Sequence, residues 1–452
     1  MPSLAGKPGA RVMVIGGLDG ADASVSEARR EAARRQVPAL LHRFADPDRL
    51  LFPPAGEAYA GPGGEAHYLW RHLLQRAPDH VYIAGPSQAS TRLAAALEGK
   101  IPVTIVPRGQ LGKALGKGAS PASPWRTEID RRLARTPEQV ARQLAVHYGH
   151  ALDDAVYIPA MALIGRLRLG DALEDVERIV APYATGEKSS LTAKPSGSHQ
   201  SGHLLFGELY KLTKKPEYLK LVLAAAGMAF EADGTTAKEA MPLHNEMSDS
   251  FFMGCPILAQ AGRLTGETKY YDMALRHFRF MTKLDLRPDG IYRHSPLDEA
   301  AWGRGNGFPA LGMALTLTEL PEDHPSRAEY LTAFQSHLRA LLRHQDSGGA
   351  WHEVIDRPES FPEYTATAMI GFALTRGLRN GWIKGAGFEV ARDQAWQAIK
   401  RRTAEDGVLL DVCASTGKQK SLRDYYDRPA IFAVDPRGGA MGLLLATELM
   451  QQ

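Results

Sequence analysis

GELYKLTKKPEYLKLVLAAA, residues 207–226, shares one frame with AQAGRLTGETKYYDMALRHF, residues 259–278. In each, a helical pattern ends at Leu-Thr, a short polar turn follows, and a Tyr opens the next amphipathic run. Pro216 marks the start of the second helix in the first copy, a position where proline costs nothing because its missing N–H would have no partner. Two hairpins built alike point to a repeated architecture.

Outward from these two, helical patterns fall at 137–149, 155–168, 171–183, 199–213, 216–231, 249–264, 267–282, 303–319, 324–344, 364–380, 386–402 and 436–450. Twelve helices make six hairpins, and six hairpins can close into an (α/α)6 barrel. YTATAMIGFALTRGLRN (364–380) is apolar nearly all round, as a buried inner helix should be. The helix at 324–344 bears Arg327, Glu329, Arg339 and Arg343, as an outer one should. Periodicity alone leaves an open array of hairpins as the alternative to a closed ring.

Residues 1–125 read differently. RVMVIGG, HVYIAGPS and IPVTIVPRG are short β-branched runs ended by Gly or Pro and separated by helical stretches, the pattern of βαβ units and a small parallel sheet. A linker rich in Gly, Pro and Ser, GQLGKALGKGASPASP (109–124), closes this section. The expectation is a small α/β accessory domain over 1–125 and the barrel, a catalytic domain, over 126–452.

The totals exclude several classes. The 452 residues carry 54 basic and 51 acidic side chains, net +3, so nothing in the balance asks for a nucleic acid. Arg131, Arg132 and Arg135 read as a solvated helix face. Cys255 and Cys413 are too far apart for a disulfide framework or a metal-ligand spacing. No apolar run reaches the ~18 residues of a membrane span, and the start has no signal-peptide core. Those features suit a cytoplasmic or periplasmic protein and leave homo-oligomerisation open.

In a ring of helices, the pocket lies at one mouth, among the loops that lead into inner helices. HNEMSDSFFMGCPIL (244–258) puts Asp249 where an apolar helix begins. It reads either as an N-cap or as a carboxyl whose apolar setting suits a general acid. WGRGNGF (302–308) offers Trp302 as a face for a sugar ring and Arg304 as a fork for a carboxylate. Its glycines serve either close approach of a ligand or close packing of helices. His294 in GIYRHSP, and Trp351 and His352 in GGAWHEV, are further mouth candidates. His199 and His203 have the i, i+4 spacing of metal ligands but lack the glutamate of HExxH, so no metal is expected.

Four segments together resemble glycoside hydrolase family 105 and, more distantly, family 88: residues 248–274, 302–308, 363–383 and 416–449. The resemblance implies an (α/α)6 barrel that removes a 4,5-unsaturated uronic acid from the non-reducing end of lyase-generated oligosaccharides. It implies no cofactor and assigns Asp249 as the catalytic acid. It places Trp302, Arg304 and His294 in the substrate pocket, with Met247 and Phe308 at positions where the family often has Trp. Family members carry a second aspartate on the helix matching 199–213. No Asp or Glu occurs between Lys188 and Gly207 here, so either His199, Gln200 or His203 stands in its place or the sugar recognised differs. Two alternatives stay open: a glycosidase for saturated uronides or other sugars, and a silent carbohydrate-binding protein. GGLDGADAS (16–24) faintly resembles the Gly-x-His-Gly-x-Glu zinc element of carboxypeptidase-like domains, with Asp19 and Asp22 in the ligand places. It is expected to be degenerate.

Overall fold

The structure, a computed structural model, describes residues 11–59, 64–116, 121–170 and 172–451. Residues 1–10 and the centre of the expected linker, 117–120, lie outside them. Two compact units divide the chain, Met1–Ala134 and Arg135–Gln452.

In the first unit the elements run β1 (Val12–Gly16), α1 (Asp22–Arg35), β2 (Ala39–Leu41), a short extended pair β3 (Ala58–Tyr59), α2 (Glu65–Arg76), β4 (His80–Ala84), α3 (Gln88–Ala96), β5 (Val103–Val106), α4 (Leu111–Ala114) and α5 (Pro124–Leu133). Four of the strands form a parallel sheet in the order β2-β1-β4-β5. Both faces of a parallel sheet are covered, so its strands are apolar throughout. Met13, Ile15, Val81 and Ile83 pack on one side with Leu69, Leu73 and Leu93, while Val14, Tyr82 and Ala84 pack on the other with Ala28 and Leu111. Helix α5 belongs with this sheet. Trp125 donates its indole N–H to Leu74 C=O (2.7 Å), and Arg126 pairs with Asp79 (2.6 Å). The division therefore falls after α5, nine residues beyond the sequence boundary at 125.

Asp19, at the tip of β1, is held by the Ser24 hydroxyl (2.5 Å), the Ala21 N–H (3.1 Å) and Arg108 Nε (2.8 Å). These bonds outweigh the burial that opposes them and keep its carboxyl below the usual range. Asp22 is 82% exposed. The carboxylate of GGLDGADAS thus tethers turns.

The second unit contains α6 (Pro137–Leu144), α7 (Tyr157–Leu169), α8 (Leu173–Ala184), α9 (Gly197–Gly202), α10 (Leu204–Thr213), α11 (Pro216–Gly227), α12 (Ser250–Thr265), α13 (Thr268–Asp285), α14 (Gly303–Glu319) and α15 (Arg327–Leu342). It continues with β6 (Trp351–His352), β7 (Pro362–Glu363), α16 (Tyr364–Arg379), α17 (Ala386–Arg402), β8 (Val412–Cys413), α18 (Leu422–Tyr426), β9 (Ala430–Ile431) and α19 (Pro436–Leu449). Helix α7 packs on α10, α10 on α12, α12 on α14, α14 on α16, α16 on α19, and α19 returns to α7. That return closes an (α/α)6 barrel and removes the open-array alternative. The inner α12, α14, α16 and α19 are buried nearly all round, whereas the outer α13 and α15 bury one face.

Close packing explains one departure from the sequence reading. The helix expected at 199–213 breaks at His203, where Gly202 lies so near Ala155 that a Cβ would stand 2.1 Å from its carbonyl oxygen. The run expected over 137–149 stops at Leu144, and α18 was not anticipated.

Inner helices separated by outer ones run parallel, so their first turns gather at one end and their last turns at the other. At the far end Arg376 and Arg379 bond Glu448, Arg168 reaches it at 3.2 Å, and Lys211 bridges Glu208 (2.9 Å) and Glu319. Arg168, Glu208, Gln260 and Glu319 line a cavity of only ≈ 30 Å³ there. Among the described residues, no helix is long and apolar enough to cross a membrane.

Candidate active site

Asp249 stands immediately before α12 with helical backbone angles (φ −52°, ψ −29°), and its side chain makes no capping hydrogen bond. The capping alternative is therefore set aside. Its carboxyl is 13% exposed, and Oδ1 lies 3.3 Å from Nε2 of His294. Both atoms are buried and neither makes a hydrogen bond in this arrangement. Catalytic contacts are often loosely aligned until substrate tightens them. The loop leading to Asp249 carries three non-glycine residues in the left-handed region, Leu243, Asn245 and Glu246, at φ 67°, 50° and 55°. Each such residue stores strain of about 1–3 kcal/mol, which collects at functional sites. Glu246 is tied across the mouth to Lys418 at 2.9 Å.

His294 is fully buried. Its main chain accepts from Ser248 N–H (3.0 Å), which sets it beside Asp249, and its Nδ1 lies 2.9 Å from the Tyr425 hydroxyl. Trp302 packs against its ring with 4.5 Å between centroids. Asn306 steadies the same segment by accepting from Tyr292 N–H (2.8 Å) and donating to Tyr292 C=O (2.8 Å).

Trp302 is 1% exposed, so it does not present a free face to a sugar. His294 packs on it, the Arg304 guanidinium lies 4.8 Å from its ring centre, and its indole N–H donates to Glu353 Oε1 at 2.9 Å. Nor is Arg304 an open fork. It is equally buried and donates Nη1–H to Cys413 C=O at 2.7 Å. Burial opposes its charge, but Cys413, Glu363 and Glu353 outweigh that and hold the guanidinium above its usual pKa. Burial, with Glu363 nearby, pushes Glu353 up to about 8, so it stands protonated at neutral pH. Glu363 caps α16, accepting from Thr365, Ala366 and Cys413 N–H groups. The wall behind Asp249 and His294 is thus a buried, interlocked cluster of aromatic and ionisable groups.

The glycines of WGRGNGF lie within α14 and serve packing. A Cβ on Gly303 would stand 2.6 Å from His352 C=O, one on Gly305 would stand 2.9 Å from Ser248 Oγ, and one on Gly307 would stand 2.8 Å from Met369 Sδ. Ser248 also donates its hydroxyl to Gly305 C=O at 2.7 Å, which locks the head of α12 to the head of α14.

At GSHQSGH, His199 closes a capping box with Ser196 through Nδ1 and sets Nε2 3.2 Å from Asp154. An acid therefore does stand at this segment, supplied by the loop before α7. Gln200 is fully buried and donates to Pro242 C=O (2.8 Å), leaving Oε1 without a partner. His203 is a core histidine. Burial lowers its pKa to about 4, and its nitrogens meet His199 C=O and Ser190 Oγ.

Other mouth candidates move inward. Trp351 is fully buried and donates to Leu341 C=O, while His352 is held between Ser360 C=O (2.7 Å) and Asp346 (3.2 Å). Phe308 lies beneath the site, stacked on Phe252. Met247 stays half-buried in the turn before Asp249. Sequence reasoning missed Tyr157, the first residue of α7. Burial pushes its phenol up to about 12, and it feels Arg304, Asp249, Arg437 and Asp435. It also gave no role to Tyr425, Glu353 or Arg437, although Tyr425 and Arg437 lie in a quoted segment.

Residues 168–452 match the family model described as Glycosyl Hydrolase Family 88. An unsaturated 3S-rhamnoglycuronyl hydrolase of Alteromonas sp. (strain LOR) is 28% identical over 172 residues, 35% of this chain and 42% of that one. The unsaturated rhamnogalacturonyl hydrolase YesR of Bacillus subtilis (strain 168) is 29% identical over 190 residues, covering 40% and 53%. The chain thus spans about half the length of these relatives. Among solved structures, a family 105 glycoside hydrolase from C. acetobutylicum ATCC 824 superposes with TM-score 0.59 at 20% identity, covering 70% of this chain and all of the other. One described as a possible GH105 member, from Salmonella enterica serovar Paratyphi A, gives 0.59 at 20%, covering 70% and 95%. These two likenesses concern the fold.

Proposed function

Since the chain belongs to glycosyl hydrolase family 88, we propose that it removes a 4,5-unsaturated uronic acid from the non-reducing end of oligosaccharides left by polysaccharide lyases. The reading rests chiefly on Asp249, a carboxyl released from capping, partly exposed, and set against His294 at the mouth where the inner helices begin. The names of the relatives supply the substrate class.

In this reading Asp249 gives its proton to C4 of the vinyl ether, and positive charge develops at C5. Water adds to C5 and returns a proton to Asp249, so the carboxyl ends as it began. The hemiketal formed at C5 opens spontaneously and the glycosidic bond breaks with it. One carboxyl suffices, and the two-carboxylate separations of ordinary glycosidases do not apply. The N-termini of α7, α12, α14, α16 and α19 gather at the mouth, and the helix dipoles directed there favour an anionic sugar. Arg437, 27% exposed and paired with Asp435 where Arg304 is buried, is the cation this reading assigns to the uronate carboxylate.

The unsaturated uronide absorbs in the ultraviolet through its conjugated double bond, and hydration destroys that absorbance. Lyase digests of pectin, ulvan, glycosaminoglycan and arabinogalactan are the substrates to try. Loss of absorbance on at least one is expected. Stable absorbance on all, with release of a saturated glucuronide from a chromogenic substrate, would overturn the reading in favour of an ordinary glycosidase.

A further inference from the structure

The Tyr425 residue is only 1% exposed, and among the described residues its hydroxyl has two hydrogen-bond partners. It accepts from the Gln419 N–H at 3.4 Å and lies 2.9 Å from His294 Nδ1. A phenol has one proton to give. Gln419 N–H is a donor and cannot receive it, so among the described residues the proton's acceptor is His294 Nδ1. An imidazole that accepts at Nδ1 carries its own hydrogen at Nε2. That nitrogen faces Asp249 Oδ1 at 3.3 Å.

The ring has little freedom to choose otherwise. Trp302 and Tyr425 pack against it at 4.5 and 5.6 Å between centroids. Its backbone is held on both sides, by Ser248 N–H donating to its carbonyl and by its own N–H donating to Ala300 C=O (3.1 Å).

We propose that Tyr425 is a positioning residue of the reaction, fixing His294 as the Nε2–H tautomer, whose N–H stands 3.3 Å from Asp249 Oδ1 and donates to it once substrate tightens the contact, so confining the transferable proton to Oδ2. The other tautomer would place a lone pair against Oδ1 and drive the proton onto that buried oxygen, away from substrate. His294 keeps its hydrogen throughout. The proton that reaches C4 leaves Oδ2, and the one taken from the attacking water returns to Oδ2. When Asp249 is momentarily a carboxylate, the same N–H offsets its charge. The catalytic half of this inference rests on the proposed activity, while the tautomer half does not.

The test separates the two. Full-length protein labelled with ¹⁵N-histidine reports the ring nitrogens of His294 by NMR, with His294→Gln to assign the signal. The expected wild-type result is a protonated Nε2 and an unprotonated, hydrogen-bonded Nδ1, with Tyr425→Phe shifting His294 to a mixture of tautomers. Tyr425→Phe should also lower kcat on the order of 10- to 100-fold, the scale of a misplaced catalytic group, with KM little changed. A wild-type Nδ1–H tautomer overturns the proposal, whether or not Tyr425→Phe folds. So does a Tyr425→Phe protein with unchanged shifts and kcat. Absence of activity on every unsaturated substrate, with the Nε2–H tautomer present, would refute the proposed reaction and the catalytic half of the inference while leaving the assigned tautomer standing.

Discussion

Trp302 donates its indole N–H to Glu353 Oε1 across 2.9 Å, inside a wall where neither side chain reaches water. The bond makes Trp302 a fixed strut between a buried acid and the ring of His294. Trp302→Ala should therefore act on stability first, costing about 3–5 kcal/mol as a buried aromatic truncation. Denaturant titration would read that loss. A residue serving only as a sugar platform would instead raise KM and leave the unfolding midpoint alone.

Acid groups kept neutral by burial give stability a particular slope with pH. Glu353 and Asp285 are both pushed up by burial, each to about 8. Asp285 is fully buried with neither oxygen hydrogen-bonded, and Arg293, 3.9 Å away, offsets its burial only in part. Between the ordinary carboxyl range and pH 8 the folded state holds protons that the unfolded chain has released. Their contribution is therefore present at acid pH and is lost as pH rises through about 8. Unfolding free energies should decline over that window, and Glu353→Gln should flatten part of the decline. A curve that rises across it would contradict the assignment.

Asp249→Asn should abolish the loss of ultraviolet absorbance, at least about 100-fold, since a general acid contributes on that scale. The carboxamide has the same size and the carboxyl has no cap to lose, so the melting temperature should barely move. Activity surviving the change would refute the mechanism without touching the family.

Gly303→Ala should destabilise by about 1–3 kcal/mol, the usual cost of overpacking. Its Cβ would press on the main-chain oxygen of His352, which cannot swing away as a side chain could. Thermal unfolding measures this. An unaffected midpoint would show that the glycine serves the ligand and not the packing.

How far these residues could be read from sequence depended on whether their partners were local. Helix 303–319 and helix 386–402 emerged with their predicted bounds, because face periodicity and termini are local signals. Ring closure was not legible, since it depends on α19 lying against α7, far apart in sequence. Asp249 was legible as a carboxyl heading an apolar helix. The roles of Trp302 and Arg304 were misjudged because their exposure depends on Glu353 and Cys413, 51 and 109 positions away. The same distance hid Tyr425, which meets His294 across 131 positions. At GSHQSGH a window confined to the helix saw no acid, yet Asp154 arrives from 45 residues upstream.

The ion pairs around Glu448 have a kinetic consequence. With the far end of the barrel filled, among the described residues, by charged side chains that leave a cavity of only ≈ 30 Å³, a sugar does not fit through that end and would come and go at the mouth. On the proposed activity, a chain end that has reacted would have to back out before another enters, so turnover would become a queue in which the freed sugar and the shortened oligosaccharide leave by the path the next substrate needs.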